Sequence, residues 1–74
     1  MSSPTHKIVQ ETLLSILPHA SLEHRFPSIG RIADVALLPE KIIFEIQCSL
    51  ISISEVEKRI TDYATLEPFH HKPL

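Results

Sequence analysis

Prolines at positions 18, 27, 39 and 68 mark where regular structure in this chain has to stop. Proline has no N–H for a helix or a ladder, and the residue before it is pushed out of the helical region. Between these breaks the spacing of apolar residues changes. From His6 to Leu17 they fall at Ile8, Val9, Leu13, Leu14, Ile16 and Leu17, which fits an amphipathic helix ended by Pro18. Leu22, His24 and Phe26 alternate with Glu23 and Arg25, a strand pattern. Pro27-Ser28-Ile29-Gly30 reads as a turn that uses the only glycine. Arg31 to Leu38 and Ile42 to Cys48 are rich in branched residues and read as two further strands, joined by Pro39-Glu40-Lys41. Both connections are short enough for hairpins. Ser52 or Ser54 can cap a second helix, and Ser54 with Glu57 has capping-box spacing. Val56, Ile60, Tyr63 and Ala64 form its apolar stripe, and it should stop near Glu67, before Pro68. The tail from Phe69 to Leu74 is expected to be loose, with His70 and His71 solvated, as is His6 near the other terminus. The expected architecture is α/β of the α+β type, helix–three strands–helix, with a small mixed or antiparallel sheet in a single domain over residues 1–74.

Length narrows the field further. A domain of 74 residues buries only about 60% of the surface its unfolded chain exposes, so its stability is marginal. Cys48 is the only cysteine, so no disulfide can help. Set in an apolar stretch, it reads as a small buried hydrophobe without a histidine partner, in keeping with a reducing, cytoplasmic compartment. A homodimer, or further chain in a longer architecture of which this is a core or fragment, would supply extra core. No apolar run reaches the roughly 18 residues of a membrane span, and the N-terminus lacks a signal-peptide layout. A net charge of −2 carries no basic footprint for nucleic acid at the level of composition.

The third strand carries the chemistry. Side chains alternate across a strand, so Ile43, Glu45, Gln47 and Ser49 share one face, while Ile42, Phe44, Ile46 and Cys48 share the other. The apolar face should pack on the first helix, with Phe44, Ile46 and Cys48 against Val9, Leu13, Ile16 or Leu17. Glu45 and Gln47 are polar residues inside a strongly apolar strand, and a charge there is costly to bury unless something pairs with it. Asp34 has the same oddity in the second strand, on a face with Ile32, Ala36 and Leu38. A hairpin about Pro39-Glu40 makes Asp34 and Glu45 near-opposite partners, close enough to repel unless a cation or proton lies between them. Carboxylate and carbonyl oxygens suit Mg²⁺ or Mn²⁺. The plainer alternative is a solvated face on which Asp34 pairs with Arg31 or Arg25, and Glu45 with a lysine.

Arg31-Ile32-Ala33-Asp34-Val35, followed by Ile43-Phe44-Glu45-Ile46-Gln47-Cys48-Ser49, resembles the PD-(D/E)XK nuclease superfamily, and more narrowly the nuclease-like domain of the competence protein CoiA family. The likeness continues through Ile51 and Ser52 to Arg59 and Tyr63, covering roughly residues 19 to 63. It implies a restriction-endonuclease-like minimal core and Mg²⁺- or Mn²⁺-dependent phosphodiester hydrolysis in DNA, in a DNA-uptake or recombination setting. By position, Asp34 and Glu45 match the acidic metal ligands, and the backbone carbonyl of Ile46 a further ligand. Gln47 stands where lysine is usual, and Glu23, which matches an acidic residue often seen ahead of the aspartate, is a candidate ligand for a second metal site. Arg59 and Tyr63 would contact DNA phosphate or support the acidic site. Ala33 replaces the usual proline. The chain also stops after the second helix, where the family usually adds at least another strand. A non-catalytic DNA-binding or oligomerisation module that keeps the fold is the alternative function.

Overall fold

Helix α1 spans Pro4–Ile16 and ends where Pro18 requires. The computed structural model describes residues 4–47 and 50–74. After α1 come β1 (Ser21–Phe26), β2 (Arg31–Leu37), β3 (Ile42–Glu45), helix α2 (Ile53–Ala64) and β4 (His70–Pro73). The strands form one mixed sheet in the order β1-β2-β3-β4, antiparallel except for the parallel β3–β4 pair. The expected order of helix, three strands and helix is therefore present, with a fourth strand after it.

Both hairpin turns close as their residues dictate. Gly30, at φ 65°, donates its N–H to the Pro27 carbonyl at 3.2 Å, and Ile29 to that of Phe26 at 3.1 Å. Lys41 closes the second turn on the Leu38 carbonyl at 3.2 Å. These turns set the registers Leu22↔Val35 and Val35↔Phe44. Phe26, Ala33, Ile43 and Tyr63 form the core, with Ile29, Leu66 and Phe69 packed around it.

Several expectations are corrected. The tail is not loose. His70 N–H bonds the Lys41 carbonyl at 2.7 Å and Leu74 N–H the Glu45 carbonyl at 2.8 Å, so β4 runs along the whole of β3. A fourth strand thus follows α2, and its four residues are too short and too polar to read as one in the sequence. His71 is half-buried rather than solvated, stacked on Tyr63 with ring centroids 4.5 Å apart. Strand β3 ends at Glu45, short of Cys48, because the Ile46 N–H leaves the ladder for the Asp34 carboxylate at 2.7 Å. Cys48 and Ser49 lie outside the described residues.

Helix α1 packs against β1 and β2, with Val9, Leu13 and Leu14 half-buried. Ile46 is buried, Phe44 is half-buried, and Ile8 and Ile16 of α1 are exposed. The one buried residue of α1 is Gln10. Helix α2 is capped by Ser52, whose hydroxyl accepts the Glu55 N–H at 3.1 Å, in place of the Ser54–Glu57 box. Of its anticipated stripe only Tyr63 is buried, while Val56, Ile60 and Ala64 are exposed. Among the described residues, no helix is long and apolar enough to cross a membrane.

Candidate active site

Asp34 and Glu45 stand opposite one another where the Val35–Phe44 register runs on by one residue. They are held there by different elements. Asp34 Oδ2 accepts the Ile46 N–H, and Asp34 Oδ1 lies 3.0 Å from His6 Nε2 on α1. Gln10, one helical turn after His6 and so on the same helix face, donates from Nε2 to the Asp34 carbonyl and to Glu23 Oε1, both at 3.0 Å. Glu45 is 8% exposed, and its Oε1 accepts the Tyr63 hydroxyl at 2.5 Å.

The electrostatics follow from this packing. Burial pushes the Glu45 carboxyl above the ordinary carboxylate range. The Tyr63 hydroxyl opposes that shift, and the neighbouring Asp34 charge adds to it. The Tyr63 phenol is pushed far up, by burial first and by Glu45 second, so it stays protonated and keeps donating. His71 is held below the usual imidazole range by burial, then by Arg59 and Arg31, and so favours the neutral ring.

Arg59 and Tyr63 are one turn apart on α2 and reach successive polar residues beyond the apolar strand. Arg59 Nη1 donates to Gln47 Oε1 at 3.3 Å, while its Nε donates to Glu55 Oε1 at 3.3 Å. Tyr63 is 1% exposed with its hydroxyl on Glu45, which is the supporting one of the two roles expected for it. Arg31, the first residue of β2, is also tied to α2. It donates from Nε to Asp62 at 2.8 Å and from Nη1 to Glu55 at 3.4 Å, so it is not the partner of Asp34. A cleft of about 130 Å³ opens beside Glu45 and Gln47, walled by Val56, Arg59, Ile60 and His71.

With this geometry in view, the chain was compared with known proteins. The family model described as competence protein CoiA, nuclease-like domain, matches residues 5–69. The chain belongs to this family. No significant match was found among curated proteins or among solved structures.

In this CoiA nuclease-like domain, then, Asp34, Glu45, Gln47, Arg59 and Tyr63 form one linked site. Glu23 is attached only at its margin. Its backbone is left-handed at φ 50°, its side chain is exposed and bonded to Gln10, and it does not complete a side-chain triad with the other two carboxylates. Among the described residues, no group of three His, Cys, Asp or Glu side chains could hold a cation. The donor set that remains is two carboxylates and the Ile46 carbonyl. Its chemistry fits a hard divalent ion, because a second negative charge beside a buried carboxyl is relieved by a cation.

Two residues escaped the sequence reading. His6 looked like one of several terminal histidines, and Gln10 like a polar residue on a helix. Their i,i+4 spacing is visible in the sequence, yet nothing local says that this polar pair reaches the sheet.

Proposed function

We propose that this domain is a Mg²⁺- or Mn²⁺-dependent DNA nuclease of the PD-(D/E)XK type, acting in DNA uptake or recombination. The observation that carries the reading is the Asp34–Glu45 pair. It is set across β2 and β3, and burial and mutual charge drive Glu45 toward its protonated form. Perturbed carboxyls of this kind gather at functional sites. Asp34, Glu45 and the Ile46 carbonyl would hold the ion, which when bound lowers the pKa of a water and polarises a phosphoryl oxygen.

The chain's own residues do the rest. Tyr63 fixes the rotamer of Glu45, and β4 covers the backbone behind it. Gln47 has no charge to offer a phosphate, but its amide can orient the attacking water. Arg59, in contact with that amide, supplies the nearest guanidinium. An arginine so placed stabilises the charge that develops on a phosphoryl group.

The test is nicking of plasmid and single-stranded DNA with Mg²⁺, Mn²⁺ or excess chelator. Asp34→Ala and Glu45→Ala should each abolish cutting, because each removes a ligand. Gln47→Ala should slow it while metal binding persists. Cutting that survives both carboxylate changes would refute the assignment. A non-catalytic DNA-binding or oligomerisation module has one observation in its favour, the lack of a third side-chain ligand among the described residues. Folded wild-type protein that binds DNA but cuts with neither metal would establish that reading instead.

A further inference from the structure

Asp34 is held more tightly than a carboxylate in a solvated sheet needs to be. Its two oxygens meet different donors, Oδ2 the Ile46 N–H at 2.7 Å and Oδ1 the His6 Nε2 at 3.0 Å. Its own carbonyl is bonded by Gln10 at 3.0 Å. The His6 and Asp34 side chains are 13% and 16% exposed, so water does little of this work. His6 and Gln10 come from one face of α1, while Ile46 comes from the far side, just after β3. The carboxylate plane is therefore pinned between two elements that share no other function in the site.

We propose that His6 is a positioning residue for Asp34, orienting its carboxylate toward the cation, in a role that rests on the cation site proposed above. An ionised carboxylate has about four lone-pair sites, so these donors leave capacity for an ion. His6 acts through Asp34, since its Nε2 is already engaged with Asp34 Oδ1 at 3.0 Å. Nε2 can donate from the tautomer that carries its hydrogen there. Partners that orient a metal's ligands in this way govern its affinity, and their loss typically weakens binding by about 10–100-fold.

The experiment is isothermal titration of Mn²⁺ into the full chain as wild type, His6→Ala and His6→Gln, with metal-free melting curves for all three. His6→Ala should weaken Mn²⁺ binding by about 10–100-fold, and His6→Gln, which keeps an N–H donor, should recover much of the loss. Equal or tighter binding by His6→Ala would overturn the proposal, the second result by making His6 a competitor of the ion. So would equal losses in both variants that track their metal-free stability, because that is a purely structural role. Imidazole nitrogen coupling in the Mn²⁺ electron paramagnetic resonance signal would make His6 a ligand and overturn it as well. Wild type that binds neither Mn²⁺ nor Mg²⁺ would remove the cation site and this role together. A wild type that binds with His6→Ala unchanged removes only the role of His6.

Discussion

Tyr63→Phe removes one oxygen atom and should cost this small domain a large part of its stability. The hydroxyl donates to Glu45 Oε1 at 2.5 Å, with Tyr63 1% and Glu45 8% exposed. With Glu45 only 8% exposed, little solvent is at hand to replace the lost donor. Hydrogen bonds to charged groups contribute about 1.5–3 kcal/mol, so a loss of about 2 kcal/mol is expected. The ring itself remains, with its stack on His71 at 4.5 Å and its edge contact with Phe26 at 6.3 Å, so little packing is lost. In a domain of this size a loss of about 2 kcal/mol lowers Tm by on the order of 10 °C. The effect has a pH signature. The hydroxyl pulls the Glu45 pKa down, so without it that pKa rises further above 4.5. The deficit should be complete at high pH, where Glu45 is ionised in the wild type, and should shrink as acid protonates it. The assay is thermal melting by circular dichroism for both proteins from about pH 4 to 8. A Tm change of under about 2 °C at neutral pH, well below the roughly 4–8 °C that each 1 kcal/mol is worth here, would refute the energetic argument. A deficit that grows in acid would refute the electrostatic one.

Glu45→Gln should melt higher than wild type at neutral pH. The Glu45 pKa is raised in the fold, so its favourable contribution is complete in acid and is lost as pH rises from about 4.5 through the folded value; a melting profile for this variant as pH-dependent as that of wild type would refute this. His71→Phe keeps a ring on Tyr63 and should resist mild acid better than wild type. The His71 pKa lies below 6.5 in the fold, so stability present at neutral pH falls as pH drops below that value, which melting curves at about pH 5 and 7 would reveal or exclude. Arg31→Lys should cost about 1–2 kcal/mol in urea unfolding, because one ammonium cannot serve both Asp62 and Glu55 as the guanidinium fork does; an unchanged midpoint would remove Arg31 as the tie between β2 and α2. A chain ending at Phe69 should lose cooperative melting, since β4 pairs the length of β3 beside the fully buried Ile43; a sharp transition near the wild-type Tm would show the strand to be dispensable.

Most of the backbone plan was legible because short-range chemistry writes it. Pro18, Pro27 and Pro39 constrain φ and remove donors wherever they occur, Gly30 frees φ, and the breaks between the first four regular elements fall at or near them. The opposition of Asp34 and Glu45 was legible too, because a tight turn at Pro39 converts sequence spacing into register. What failed was the assignment of faces and partners. Glu45 shares its strand face with Ile43, and that face was read as the open one. In the fold Ile43 sits in the core with Tyr63, so the carboxylate is covered from α2.

Those failures have one physical cause. Period and turn residues depend on neighbours within a few positions, so the sequence by itself determined a helix, three strands joined by two hairpin turns, a second helix and two facing carboxylates. Parallel pairing has no turn to announce it, and His70–Pro73 becomes a strand only because β3 offers a free edge after α2 has crossed over. Similarly, nothing in the period of α1 says that Gln10 would be its one buried residue or that His6 would reach Asp34. Which carboxylate is buried, which oxygen is held and which helix holds it are properties of groups far apart in sequence, and only the tertiary structure brought them together.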